Sequence, residues 1–266
     1  MKALSQHRHH PMAYLMILLL ALVATGGIYV AFEPRTAQAT GASSEDIKAG
    51  KDLFVANCAT CHGTNAEGRT DSDGNTIGPS LIGVGAAAVD FQVGTGRMPM
   101  QASGPQAARK APQFNEKQTE QLAAYVASLG PGPSVPTADA VDPSKGDAVK
   151  GGQIFRVNCA MCHNAAGAGG ALTHGKWAPS LHGVEPKHIY EAMETGPQNM
   201  PVFNDTNLNA EDKRDVIAYL DALEKNGSPG GLGLGHLGPV TEGLYAWTIG
   251  LALLLGCAVC LGAKAK

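Results

Sequence analysis

Aromatic residues make up only 5% of the 266 positions and charged residues 16%. With so few rings, a segment of about 80 residues cannot bury a large apolar core from polypeptide alone. Lys and Arg number 20 against 23 Asp and Glu, so the basic stripe that nucleic acid requires is missing. There is no G-x-S-x-G elbow, no P-loop and no H-E-x-x-H pair, and no catalytic constellation emerges. Cysteine is limited to six residues. Four fall in two short motifs and two in an apolar run near the C-terminus, which leaves none for a disulfide framework.

The two motifs are Cys58-Ala-Thr-Cys61-His62 and Cys159-Ala-Met-Cys162-His163. C-x-x-C-H is the attachment signature of c-type haem. Two thiols three residues apart project from one helical turn toward the two porphyrin vinyl groups, and the adjacent His supplies the proximal iron ligand. A lone C-x-x-C reads equally as half a zinc site or as a redox dithiol. Duplication, with a His completing each copy, points instead to two covalently bound c-type haems. Cys58, Cys61, Cys159 and Cys162 are the attachment residues, and His62 and His163 the proximal ligands.

The motifs sit in a longer internal repeat. Gly50, Phe54, Asn57 and Ala59 correspond to Gly151, Phe155, Asn158 and Ala160. After a one-residue length change, Pro79-Ser80-Leu81, Gly83-Val84 and Thr95-Gly96 match Pro179-Ser180-Leu181, Gly183-Val184 and Thr195-Gly196. Helical patterns over 115–129 and 209–223 close the copies, with Asn115 and Asn209 as N-caps. The first copy carries an insertion, 101–110, that the second lacks. In domains so poor in rings, the porphyrin itself would be the missing core.

Each copy resembles a class I cytochrome c domain, in which the helix carrying C-x-x-C-H is crossed by a closing helix. The resemblance implies an all-α fold of two tandem domains, 45–129 and 148–226. It also implies a distal Met ligand, usually followed by Pro, on the loop before the last helix. Met200-Pro201 fills that role in the second copy. In the first, Met98 precedes Pro99, but an ungapped alignment from Thr-Gly sets Met100 opposite Met200, so the ligand is Met98 or Met100. By the same resemblance, the carbonyls of Pro79 and Pro179 accept the Nδ1 proton of the proximal His. His-Met ligation fills both axial positions, raises the reduction potential and leaves outer-sphere electron transfer as the function.

Two uncharged apolar runs, 12–32 and 243–263, bracket the repeat, each long enough to cross about 30 Å of hydrocarbon as a helix. Lys2 and Arg8 precede the first, while Lys264 and Lys266 follow the second. Positive-inside logic therefore places 1–11 and 264–266 in the cytoplasm and both haem domains outside a plasma membrane crossed twice. The first run has a competing reading as a signal peptide cleaved near Ala39, after Ala37-Gln38-Ala39. The exported part holds 15 Lys and Arg against 22 Asp and Glu, an acidic balance suited to a basic redox partner or simply to solubility. A Pro-rich linker, 130–147, is expected to be extended and stiff, and a Gly-rich linker, 227–242, to lead to the second membrane run. His174, His182, His188 and His236 are expected in loops or at the surface. Cys257 and Cys260 lack a following His and are expected to pack in the membrane helix.

The whole arrangement resembles the dihaem cytochrome c subunit of the actinobacterial cytochrome bc1 complex. Its most specific residues are Thr95-Gly96-Arg97-Met98-Pro99, Thr195-Gly196-Pro197-Gln198-Asn199-Met200-Pro201 and Gly238-Pro239-Val240-Thr241-Glu242-Gly243-Leu244. That resemblance implies a subunit of a quinol:cytochrome c reductase, without an independent catalytic site. It stands in place of cytochrome c1, in membrane lipid beside a cytochrome b subunit and a Rieske iron-sulfur subunit. Electrons from menaquinol would pass through the Rieske centre and the two haems to an aa3-type cytochrome c oxidase in a supercomplex. A dihaem subunit of another respiratory oxidase or dehydrogenase, or a dihaem peroxidase, would show the same haem motifs.

Overall fold

The computed structural model describes residues 11–32, 42–102, 104–226, 233–234 and 238–264. It is mostly helical, and its two apolar cores each lie within one copy of the repeat. In the first copy, α2 (Ser44–Asn57) begins where the Ser43 hydroxyl accepts the Asp46 amide at 3.0 Å, with Glu45 and Asp46 complementing the helix dipole. A short turn, α3 (Ala59–His62), carries the motif and ends where Gly63 takes φ +82°. Helices α4 (Gly85–Gly94) and α5 (Glu116–Ala127) complete the unit. Asn115 caps α5 in a reciprocal box with Gln118, the two bonds measuring 2.9 and 3.1 Å.

The second copy repeats this order as α6 (Ala148–Asn158), α7 (Ala160–His163), α8 (Pro186–Thr195) and α9 (Ala210–Asn226). Asn209 caps α9, its carbonyl oxygen accepting the Glu211 and Asp212 amides, each at 3.0 Å. The helix runs three residues past the expected end at 223. Each copy also holds a small antiparallel ladder that the all-α expectation omits: β1 (Arg69–Thr70) with β2 (Thr76–Gly78), and β3 (Gly170–Ala171) with β4 (Trp177–Ala178). In the first, the Asp71 carboxylate accepts the Asp73 and Asn75 amides at 2.9 and 2.8 Å and so closes the turn.

The first and last helices of each copy cross at a glycine. A Cβ on Gly50 would stand 1.9 Å from the Gln121 carbonyl oxygen, and one on Gly151 1.8 Å from that of Asp215. Only a residue without a side chain permits so close a crossing. Next to it, Phe54 tilts against Tyr125 with ring centroids 5.3 Å apart, and Phe155 against Tyr219 at 5.4 Å. Ion pairs flank both crossings: Lys117 with Asp46 at 2.9 Å, and Lys150 with Asp212 and Asp215 at 2.9 and 3.1 Å.

The linker 130–147 lacks regular structure over 131–137 and then turns into a short 3-10 helix, Pro143–Lys145, and it is not a free spacer. The Pro133 carbonyl accepts the Ala87 amide at 3.1 Å, and Ala140 and Val141 pack against the second core. The two copies also touch directly, where Lys187 of α8 pairs with Asp90 of α4 at 2.8 Å.

At the ends lie α1 (Pro11–Phe32) and a C-terminal helix built from α10 (Pro239–Tyr245), a π-helical turn (Ala246–Gly250) and α11 (Leu251–Lys264). The latter starts at Pro239, where a fixed φ suits the first helical position, inside the segment expected to be linker. Val240–Ala263 is long and apolar enough to cross a membrane, with none of its apolar window buried. α1 spans 22 residues, PMAYLMILLLALVATGGIYVAF, with no charged side chain. Cys257 and Cys260 lie exposed on α11. His236, most of the Gly-rich linker and Ala37 to Ala39 of the alternative cleavage site lie outside the described residues.

Candidate haem sites

The C-x-x-C-H segment is shaped by the end of α2 and, in the second copy, of α6. Cys58 and Cys159 are the C-terminal caps, each donating its amide to the Phe carbonyl four residues back. The Cys58 carbonyl then accepts the Cys61 and His62 amides, and the Cys159 carbonyl those of Cys162 and His163. One tight turn thus carries both thiols and the imidazole.

His62 Nδ1 donates to the Pro79 carbonyl oxygen at 2.8 Å, and His163 Nδ1 to that of Pro179 at 3.0 Å. The same contact in both copies holds each ring in one orientation and directs the Nε2 lone pair away from the proline loop. Burial lowers the His163 pKa despite the opposing pull of the Pro179 bond, which favours the neutral ring a metal requires. Burial first, then the neighbouring Cys, pushes the Cys58 and Cys159 thiols up to about 11. A reactive dithiol needs a depressed thiol pKa, so the environment argues against redox exchange.

In the second copy a cavity of about 1220 Å³, counted with its open mouth, brings together Cys159, Cys162, His163 and Met200. Leu181, Ile189 and Val216 supply apolar wall. A thioether sulfur, a neutral imidazole, two thiols and an apolar surround form a donor set that fits a covalently attached haem. In the first copy, Met98 packs against the core, as Cys58 and Ala59 do, whereas Met100 is 37% exposed. The Met98 amide donates to the Gln92 carbonyl at 2.9 Å, folding the loop back over its own unit.

One histidine departs from expectation. His188 is buried on α8 rather than lying in a loop or at the surface, because α8 packs against α4. Its Nε2 is 3.9 Å from Asp90, and Glu191 is fully buried in the same cluster. Burial, then the Asp90 charge, raises the Glu191 pKa and holds its carboxyl protonated. Burial and the Lys187 charge lower that of His188. His174 is exposed and His182 half-buried.

Sequence reasoning also missed that five residues of the first copy line the second copy's cavity: Phe91, Thr95, Arg97, Gln106 and Arg109. The insertion 101–110 was the available signal for Gln106 and Arg109. Burial, and secondarily the like charge of Arg109, lowers the Arg97 pKa.

Residues 47–130 match the cytochrome c family, and residues 146–220 match the family described as cytochrome C oxidase, cbb3-type, subunit III. The cytochrome bc1 complex cytochrome c subunit of Corynebacterium efficiens is 44% identical over 265 residues, covering 94% of this chain and 88% of that protein. The protein of the same description from Mycobacterium tuberculosis is 44% identical over 256 residues, covering 94% and 90%. The cbb3-type cytochrome c oxidase subunit CcoP of Rhodobacter capsulatus is 35% identical over 100 residues, covering 36% of this chain and 34% of that protein. Two relatives matched over about nine-tenths of their length outweigh a likeness confined to about a third of the chain, and the chain belongs to the family of cytochrome c subunits of the cytochrome bc1 complex.

Proposed function

We propose that this chain is the membrane-anchored dihaem electron-transfer subunit of a menaquinol-oxidising cytochrome bc1 complex. It takes electrons from the Rieske subunit, passes them from the first haem to the second, and delivers them to an aa3-type oxidase. The observation that carries this reading is the duplicated site: C-x-x-C-H on a tight turn, with the His Nδ1 donating to a proline carbonyl in each copy. The exposed apolar faces of Val240–Ala263 and α1 fit lipid or the membrane helices of a cytochrome b partner. Basic residues at both ends support a cytoplasmic position for those ends and an external one for the haem domains.

A bound c-type haem supplies reversible one-electron exchange between ferric and ferrous iron. The residues here do the rest. Cys58, Cys61, Cys159 and Cys162 would attach the group covalently, and the Pro79 and Pro179 carbonyls orient His62 and His163 as nitrogen donors. Met98 and Met200 would supply thioether sulfur to the group, a donor that favours the reduced state. Apolar walls exclude water, so electron exchange requires little reorganisation of the surroundings.

A pyridine haemochrome assay on the native chain should count two haems, and one would contradict the reading. Purification from native membrane in mild detergent should bring down cytochrome b, the Rieske protein and an aa3-type oxidase. Recovery with a cbb3-type catalytic subunit instead would move the chain to the second family that its residues 146–220 match.

A further inference from the structure

The cavity of the second copy is not closed by the second copy alone. Part of its wall is supplied by the first, through Phe91, Thr95, Arg97, Gln106 and Arg109. Arg97 immediately precedes Met98, so one dipeptide turns its Met toward the first core and its guanidinium toward the second cavity. Arg97 is steadied over the Phe91 ring, 4.6 Å from its centroid. The insertion that carries Arg109 is folded back by the Lys110 amide on the Thr95 carbonyl at 3.3 Å and by Lys110 Nζ on the Pro99 carbonyl at 3.1 Å. It docks on β4 through Gln106, whose side chain receives the Trp177 amide at 2.9 Å and donates to the Trp177 carbonyl at 2.8 Å.

Two arginines, Arg97 half-buried and Arg109 exposed at the mouth, thus line one largely apolar cavity, and among the described residues neither forms an ion pair with a carboxylate. Their like charges repel, and an anion between or beside them would turn that repulsion into attraction. A guanidinium fork matches a carboxylate in two parallel hydrogen bonds, and a c-type haem presents two propionate carboxylates. The second copy has Pro197 where the first has Arg97, and no counterpart to the insertion, so the arrangement runs one way only. We propose that Arg97 and Arg109 of the first copy bind the propionates of the haem carried by the second, so that the second haem site is completed in trans along the chain. This rests on the dihaem reading above.

Positive charge beside the propionates disfavours ferric iron, so its removal lowers the potential of that haem. The test is a spectroelectrochemical titration of the intact purified complex in which both c-type haems are resolved. Arg109→Gln should shift the second haem to lower potential and leave the first in place. Arg97→Gln should shift the second haem in the same direction, and Arg109→Lys should restore most of the loss. Gln106→Ala, which loosens the docked segment without changing charge, should shift it less than either arginine variant. Unchanged potentials in both Arg→Gln variants, with two haems counted per chain, would overturn the proposal. So would a Gln106→Ala shift as large as that of Arg109→Gln, because packing and not charge would then be responsible. One haem per chain in the unaltered protein would overturn the dihaem reading itself, and this proposal with it.

Discussion

The two copies agree where the C-x-x-C-H turn must be held and differ where they meet. Gly50 and Gly151 allow the same helix crossing, and two Phe–Tyr pairs pack beside it with nearly equal ring separations. The proximal histidines bond equivalent prolines. The differences concentrate at the contact between copies: the insertion 101–110, Arg97 against Pro197, and Asp90 facing Lys187, His188 and Glu191. Duplication thus preserves the frame of a haem turn, while the parts that diverge make two turns into one assembly.

The largest break in that symmetry should come from the shared crossing. Gly151→Ala would drive a methyl group into the Asp215 carbonyl, and overpacking against backbone has few ways to relax. A loss of about 3 kcal/mol is expected for the second copy, read as a lowered Tm and a lost haem signal, with the first copy's haem retained.

A smaller and more local effect separates the ligand loops. Met98→Leu should abolish one Met-to-iron charge-transfer band and lower the potential of the first haem, because thioether ligation favours reduced iron. Met100→Leu should leave both unchanged. The reverse pattern would move the ligand two residues along and align the loops of the two copies without a gap.

The contact between copies carries a pH dependence. The Glu191 carboxyl is buried beside Asp90, and its folded pKa is raised. Its contribution is therefore fully present below the unfolded value of about 4.3 and declines as pH rises toward the folded pKa. Glu191→Gln should stabilise the protein by ~2 kcal/mol at neutral pH, with the gap to the unaltered chain widening as pH rises. Denaturant titrations at pH 5 and pH 8 measure it, and a constant gap would remove the carboxyl from the account.

The smallest effect belongs to the exposed clamp of the first copy. Lys117 first, then Ser43 and Gln121, hold the Asp46 carboxyl well below the usual carboxylate range. Its contribution is present above an unfolded pKa of about 3.9 and is lost as pH falls toward the folded value. Asp46→Asn should lower Tm slightly at pH 7 and converge with the unaltered chain in acid.

What could be read in the sequence followed from local pattern. Asn115 and Asn209 marked helix starts because their side chains cap amides within three residues, and the repeat frame paired His62 with Pro79 and His163 with Pro179 by family resemblance. What could not be read depended on distant segments coming together. His188 gives no sign in sequence that α4 will cover it, and the destination of 101–110 is set by a Gln106–Trp177 pairing across 71 residues. The Pro-rich linker was legible as a break between the copies, since proline restricts φ, but neither its 3-10 turn at Pro143–Lys145 nor its docking was, since the bond to Ala87 is a tertiary contact. The two-residue strands are too short to leave an alternating pattern.

The central claim is that two haem sites on one chain act in series. It is tested most directly by removing the second attachment pair through Cys159→Ala and Cys162→Ala in the intact complex, then following haem reduction and oxygen uptake after addition of menaquinol. The account predicts that the first haem is still reduced while oxygen consumption stops. Oxygen consumption that persists without the second haem would contradict it.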